Sequence, residues 1–155
     1  RSYVGGGRVA PASPETLATE YWKLYESFIS KYPEDHFYLL SVNPVYCTLR
    51  YRGNTVTNSK VIRFNNTLRK LVKKSGYKNV TYVDTYKNVF QKNGWVHKKS
   101  AYRYAMKYRK MNVRYMRESS SYQLHYTDSV DKKLFKYVND FIKNDMNISK
   151  DIKQN

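Results

Sequence analysis

Histidine and cysteine, the side chains best suited to proton transfer, nucleophilic attack or metal binding, are rare in this sequence. Cys47 is the only cysteine, so the chain can form neither an internal disulfide nor a cysteine-based metal cluster. His36, His97 and His125 lie far apart and lack the short spacing typical of metal ligands. We therefore expect no metal and no cofactor. On a loop before a helix, His125 could be a general base or a structural hydrogen-bonding residue.

A second group of residues points to binding. The chain carries 29 Lys and Arg against 12 Asp and Glu, a formal net charge of +17. Such a charge attracts nucleic acid, anionic lipid surfaces and anionic polymers. Tyrosines and methionines recur at helical spacing among cations between 98 and 117, which predicts a basic amphipathic helix with either a solvated basic face or a docking surface for an anionic partner. Its cations follow one another without an acidic residue: Lys98, Lys99, Arg103, Lys107, Arg109, Lys110, Arg114 and Arg117.

The elements that must position these residues start with an apolar strand at 37–43. The run from Phe37 to Val42 is apolar on both alternations, which is typical of a strand covered on both faces in a parallel sheet. Pro44 cannot donate to a strand ladder, so we expect the chain to leave the sheet there. A loop then follows the carboxyl end of this strand, where open α/β sheets usually bind ligands.

Helix signals lie on both sides of this strand. Ser13 and Pro14 predict the cap and first turn of a helix that ends near Lys31. We expect its buried face to be Leu17, Tyr21, Leu24, Tyr25, Phe28 and Ile29. Asn58 is predicted to cap a second helix that ends at Gly76. Its core-facing residues are predicted to be Val61, Ile62, Asn65, Leu68, Leu71 and Val72.

The remaining segments complete an α/β pattern. Residues 44–57 are predicted to form a loop and residues 79–84 the next strand. Strand, helix and strand in this order favour a parallel pair with a right-handed crossover. A last helix, starting at Thr127 or Asp128, is expected to precede a polar tail from 144 to 155. The predicted buried face of this last helix is Val130, Leu134, Tyr137, Val138, Phe141 and Ile142.

Three segments together resemble the C-terminal part of the SGNH (GDSL-type) hydrolases, which are serine esterases and acetylesterases. Residues 37–45 resemble the family's strand ending in Ser-Val-Asn-Pro-Val. Residues 58–86 resemble its helix with a Phe-Asn pair followed by a strand ending in Ile-Asp-Thr. Residues 124–127, Leu-His-Tyr-Thr, are similar to the block before the family's last helix.

The resemblance implies a catalytic role for one residue and leaves other parts of the site unmatched. His125 falls on the family's catalytic histidine, the general base that takes the proton of a serine nucleophile. Tyr122 stands where the family has the triad aspartate, and Gly7 where it has the oxyanion asparagine. The Gly-Asp-Ser nucleophile block would lie upstream of Arg1. Asp128 could replace the missing carboxylate from the other side of the histidine.

The α/β pattern and the resemblance together imply a single α/β domain; the resemblance makes it the flavodoxin-like three-layer α/β/α type with a small parallel sheet, truncated or degenerate at its N-terminal side. The domain is expected to span 1–143, with a basic helical insertion at about 92–120 and the polar tail beyond it. Because the family's first strand would be missing, an exposed sheet edge could promote association with another chain.

The resemblance implies an ester hydrolase acting on acylated or acetylated carbohydrate. It also implies a secreted or cell-surface location, although this chain shows no signal peptide. The chain itself is expected to be inactive because the nucleophile is missing. The alternative is a non-catalytic basic module that binds an anionic polymer, which would be a cell-wall polyanion, a nucleic acid or an anionic lipid surface. Since no apolar stretch approaches the length of a membrane span, no transmembrane segment is expected.

Overall fold

The computed structural model describes five parts of the chain: residues 12–45, 48–51, 54–96, 113–117 and 125–154. They form a mixed α/β structure, as the sequence predicts at this level. The elements are α1 (Pro14–Lys31), β1 (Phe37–Leu40), β2 (Thr48–Tyr51), β3 (Asn54–Thr57), α2 (Asn58–Ser75), β4 (Val80–Val83), a π-helical turn (Tyr86–Gln91), a 3₁₀ turn (Val113–Tyr115) and α3 (Asp128–Gln154).

α1 begins and ends where the sequence predicts. The Ser13 hydroxyl accepts a hydrogen bond from the Thr16 backbone N–H at 3.1 Å and caps the helix. Pro14 takes the first helical position, where its missing N–H leaves no intrahelical bond unmade. The helix ends at Lys31, and Tyr32 follows as its C-cap. Local sequence signals therefore set both ends of α1.

The buried face of α1 matches the predicted one only in part, since Ile29 is buried and Tyr21 and Tyr25 pack against the same core as predicted. Ala18, Trp22 and Ile29 are buried, and the Trp22 ring lies 6.4 Å from that of Tyr77. Three residues of the predicted core face are largely exposed instead: Leu17 (51%), Leu24 (58%) and Phe28 (46%). The small side chain of Ala18 lets α1 approach its neighbours closely, and this orientation turns the two leucines outward.

β1 and β4 form a parallel pair, with Phe37 opposite Val80 and Leu40 opposite Val83. α2 lies between the two strands in the chain, so the predicted strand–helix–strand unit with parallel strands is confirmed. Leu39 of β1 packs in a core with residues of α1 and α2. Within the described residues this sheet has two strands, so each strand has one outer edge.

Residues 48–51 and 54–57 form two strands, so the prediction of a loop over 44–57 is wrong for these residues. β2 and β3 pair antiparallel, with Thr48 opposite Thr57 and Tyr51 opposite Asn54. Three of the four residues of β3, Thr55, Val56 and Thr57, are β-branched, and β-branched side chains favour strands. The backbone hydrogen bonds between β2 and β3 stabilise strands in a segment that was predicted to be a loop.

The start of α2 is shifted by one residue from the prediction, whereas its end is confirmed. The Thr57 hydroxyl accepts from the Lys60 backbone N–H at 3.3 Å, so Thr57 is the N-cap and Asn58 the first helical residue. Gly76 ends the helix with a φ of +75°, a left-handed conformation that glycine adopts without the penalty of a side chain. The buried residues of α2 are Asn58, Val61, Asn65, Leu68 and Val72.

The buried apolar residues form two clusters. The first, which we call the sheet cluster, joins α1, α2 and the parallel strands through Ala18, Trp22, Ile29, Leu39, Leu68, Val72 and Val80. The second, the Phe90 cluster, contains Val61, Tyr86, Val89, Phe90, Trp95, Val96, Met116 and Val130. α2 is the helix that contributes buried residues to both clusters.

α3 continues through the segment predicted to be a polar tail. Val130 near its start is fully buried, Leu134 and Tyr137 pack partly against the Phe90 cluster, and Phe135 is 74% exposed. The helix then runs on to Gln154, past the expected start of the tail at 144. Adding residues to a formed helix costs far less free energy than starting one, so polar helix formers can extend it.

α3 is fastened to the sheet by a polar cluster around Tyr38. The Tyr38 hydroxyl donates to the Asp145 carboxylate at 2.7 Å, and its ring packs edge-on against Phe141. His36 lies beside the Tyr38 ring, with its Nε2 2.7 Å from the Thr81 hydroxyl. Because successive strand residues point to opposite faces, α3 contacts the face of β1 opposite to that covered by α1 and α2.

The enclosed tyrosines predict a loss of stability in alkaline solution. Burial, with the hydrogen bond donated to Asp145, raises the pKa of Tyr38 from 10.0 to about 12. Burial likewise raises the pKa of Tyr21 to about 12, and it holds the pKa values of Tyr82 and Tyr126 above the ordinary range. A raised pKa in the folded state means that the folded chain keeps protons that the unfolded chain loses.

Stability from these groups is therefore complete below about pH 10 and is lost as the pH rises toward about 12. We expect the urea midpoint to fall over this interval. A Tyr38→Phe variant, which cannot ionise at this position, should show a shallower fall. Equal slopes for the variant and the parent would contradict the assignment of Tyr38.

Candidate functional site

A buried hydroxyl network lies where the two parallel strands end. The Ser41 N–H donates to the Val83 carbonyl at 2.9 Å, and the Ser41 and Thr85 hydroxyls are 2.8 Å apart. The Tyr86 N–H donates to the Ser41 Oγ at 2.8 Å, while the Thr85 hydroxyl donates to the Asn43 side-chain oxygen at 2.8 Å. Ser41 and Thr85 are 4% and 0% exposed. Their hydroxyls thus hold the two loops together and are not placed for nucleophilic attack.

Two asparagines of α2 fix the loop after β1. The Asn65 side chain accepts from the Val42 N–H and donates to the Val42 carbonyl, both at 2.8 Å. Asn58 makes the same pair of bonds with Val45, both at 2.7 Å. The two asparagines are about two helical turns apart and so lie on one face of α2. Each asparagine side chain bonds to both backbone groups of one loop residue, as a neighbouring strand would. These bonds hold the loop in one conformation.

His125 lies at the same end of the sheet as this loop. Its neighbour Tyr126 donates its hydroxyl to the Pro44 carbonyl. The backbone is held from the other side, because the His125 carbonyl accepts from the Arg117 N–H at 2.9 Å and Tyr126 forms a bridge with Met116. The His125 side chain is exposed. The structure therefore places His125, with an exposed side chain, in a loop that Tyr126 ties to the segment following β1.

The carboxylate proposed as a substitute triad member is engaged elsewhere. The Asp128 carboxylate accepts a hydrogen bond from the Arg117 guanidinium, which also lies 3.8 Å from Asp131. These side chains are exposed, so the pairing contributes little to stability. Two other predicted departures from the family, at Tyr122 and Gly7, lie outside the described residues, as do Cys47 and His97.

The predicted basic helix does not extend to its expected end. Residues 113–117 form a 3₁₀ turn and a bridge strand, because the Arg117 N–H and the Tyr115 carbonyl bond to His125 and Thr127 across a short ladder. Arg114 lies over the Tyr115 ring, 5.5 Å from its centroid. The other six cations of the stretch lie outside the described residues: Lys98, Lys99, Arg103, Lys107, Arg109 and Lys110. Their role in binding stays a prediction.

A cationic groove that the sequence reasoning missed lies beside β4. This β4 groove, with a volume of about 550 Å³, is lined by residues of α2, β4 and the flanking loops, with Phe141 of α3. Four of its lining residues are cations: Arg69, Lys73, Lys78 and Lys87. Lys73 stands in the last turn of α2, where a cation also favours the helix dipole. The position of Lys73 at the end of a helix therefore explains this residue from the sequence alone, with no need for a groove.

No metal site accompanies these features in the part of the chain that the structure describes: no three His, Cys, Asp or Glu side chains there lie close enough to share an ion. No helix among the described residues is long and apolar enough to cross a membrane. Comparison with protein-family models, with curated proteins and with solved structures finds no match to this chain.

Proposed function

We propose that this chain is the carboxyl-side part of an SGNH-type ester hydrolase domain that acts on acyl or acetyl esters of carbohydrate. The observation that carries the proposal is the hydrogen bond from Tyr126 to the Pro44 carbonyl, which brings the His125 loop to the carboxyl end of β1. Parallel α/β sheets usually bind ligands at this end. His125 is assigned the role of general base.

The proposed domain has a flavodoxin-like three-layer arrangement. Support comes from the two faces of β1: Leu39 packs with α1 and α2, whereas its neighbour Tyr38 contacts α3. Helices on both faces of a parallel sheet are the usual layers of such a domain. The second line of support is the order of the motifs, since both strand-end loops and the histidine loop follow the family's order along the chain.

The chemistry assigned to His125 is removal of a proton from a serine hydroxyl, followed by return of a proton to the leaving alcohol. A base must be within hydrogen-bond reach of its partner, and the exposed position of His125 is compatible with access of a substrate from solvent. Ser41, which is buried and hydrogen-bonded, is not assigned as nucleophile. The proposal assigns that role to a segment on the amino-terminal side of α1.

The expected result is that the 155-residue chain alone does not hydrolyse a small aryl acetate. In a longer natural protein that contains this chain, we expect hydrolysis to occur and His125→Ala to lower kcat by about 100- to 10,000-fold. His36→Ala is the matched control, because His36 lies at the opposite, amino end of β1. Steady-state kinetics on purified proteins provides the measurement.

Two outcomes would overturn the proposal. Full activity of the longer protein after His125→Ala would remove His125 as the base. Hydrolysis by the 155-residue chain that His125→Ala abolishes would show that the chain already carries its nucleophile.

A further inference from the structure

Among the residues that the structure describes, β4 has no strand on the side away from β1, and the β4 groove runs along this outer edge. It is lined by Val80, Thr81 and Tyr82 of β4 and by no residue of β1, so it lies on the side away from β1. The carbonyls of Asn79 and Val83 accept from Phe37 of β1 and from Ser41 just after β1. Because strand residues alternate in direction, the backbone groups of Val80 and Tyr82 point toward the groove. An added strand could pair with this edge.

The charge of the β4 groove is strongly positive. Arg69 and Lys73 stand on its α2 wall, while Lys78 precedes and Lys87 follows the strand. All four side chains are exposed, and within the described ranges none of them forms an ion pair. The lining contains one carboxylate, Asp84, which accepts from the Lys87 backbone N–H at 3.0 Å. The groove thus has a net charge complementary to an anion.

The groove also has apolar walls. Val72 lies on the α2 side, Phe141 on the α3 side, and Tyr82 in the strand itself. Side chains of an extended peptide alternate between the two faces of a sheet, so such a peptide would place successive residues against the two walls. A strand of the length of β4 spans about 13 Å. The volume of about 550 Å³ is in the range of sites that enclose ligands of this size.

We propose that the outer edge of β4 is a docking site for an extended acidic segment of a partner protein, bound by addition of a strand. Two features on the same surface carry this inference: outward backbone groups that can pair with a peptide, and four unneutralised cations beside them. Strand addition takes affinity from main-chain hydrogen bonds and specificity from side-chain pockets. Glutamates or aspartates on the α2 side of the segment contact Arg69 and Lys73.

A nucleic acid or an acidic polysaccharide would use the cations alone. Neither has backbone amides that pair with Val80 and Tyr82, and binding of either would fall steeply with salt. An acidic peptide protects the amide hydrogens of β4 from exchange, because its carbonyls accept from them. Amide exchange therefore separates strand addition from simple attraction to a chain of charge +17.

The test uses the purified chain and a fluorescent peptide of alternating glutamate and valine. The groove variant is Lys73→Glu with Lys87→Glu, and the matched control is Lys70→Glu with Lys74→Glu. Lys70 and Lys74 are exposed residues of α2 that do not line the groove, so both variants change the net charge equally. We expect fluorescence anisotropy to show binding weakened about tenfold or more in the groove variant and little changed in the control.

Hydrogen–deuterium exchange supplies the second measurement. We expect the peptide to slow exchange at Val80 and Tyr82, and a peptide of the same sequence with methylated backbone nitrogens to bind more weakly. Because only the peptide changes in that comparison, folding of the protein cannot affect it. Equal weakening in the two protein variants, unchanged exchange along β4, or equal displacement by heparin and by peptide would each overturn the proposal. Failure here leaves the proposed role of His125 untouched.

Discussion

Replacing Asn65 with alanine is expected to lower the free energy of unfolding by about 2–4 kcal/mol. Asn65 is 6% exposed and makes both of its described bonds to one residue, Val42. Alanine would remove both bonds from the part-buried Val42 backbone and leave a cavity at the buried Asn65 position, and each lost hydrogen bond costs about 0.5–1.5 kcal/mol. The loop between β1 and Pro44 would then lose its fixed conformation.

Urea denaturation of the purified variant checks this expectation. Asn66→Ala is the matched control, since Asn66 is the next residue of α2, is exposed, and accepts one long bond of 3.4 Å from Arg69. We expect the control to change the unfolding free energy by no more than about 0.5 kcal/mol. Equal effects at the two positions would mean that the Asn65 amide does not hold the loop.

Phe90→Ala is expected to destabilise the fold by about 3–5 kcal/mol, the range for removal of a fully buried phenylalanine. Phe90 is 0% exposed, and its ring lies 5.9 Å from that of Trp95 and 5.0 Å from that of Tyr126. Truncation would leave a cavity and remove both aromatic contacts. Because Tyr126 anchors the His125 loop to Pro44, the same change should loosen the candidate site.

The control for this truncation is the same substitution on α3. Phe135 is 74% exposed, so Phe135→Ala removes few packed contacts and should change stability by less than about 1 kcal/mol. Thermal and urea unfolding of both variants give the comparison. A small effect of Phe90→Ala would show that the core around it can repack without loss.

Local signals in the sequence predicted the parts of the fold that local chemistry decides. Ser13 with Pro14 and the left-handed Gly76 each fix a helix end through backbone groups a few residues away. The strands predicted at 37–43 and 79–84 are observed at Phe37–Leu40 and Val80–Val83, and the first was recognisable because an apolar run suits a sheet covered on both faces. Asn65 was also expected on the core face of α2, and its burial confirms this.

Tertiary contacts decided what the sequence could not show. Leu17 and Leu24 share a helical stripe, yet the approach of α1 at Ala18 leaves them outside the core. The role of Asn65 depends on the position of the loop after β1, and the spacing of residues along a helix does not predict that position. Likewise, Lys73 lines the β4 groove only because the fold brings the end of α2 beside β4.

The arrangement of the two buried clusters affects how the protein unfolds. α2 supplies Val61 to the Phe90 cluster and Leu68 to the sheet cluster, so one helix is a wall of both. If α2 unfolds, both clusters lose buried residues in the same step, so their unfolding is coupled. The cooperativity of this small protein would then depend on the integrity of a single helix. A substitution that breaks α2 between Val61 and Leu68 would let the Phe90 cluster and the sheet cluster unfold separately.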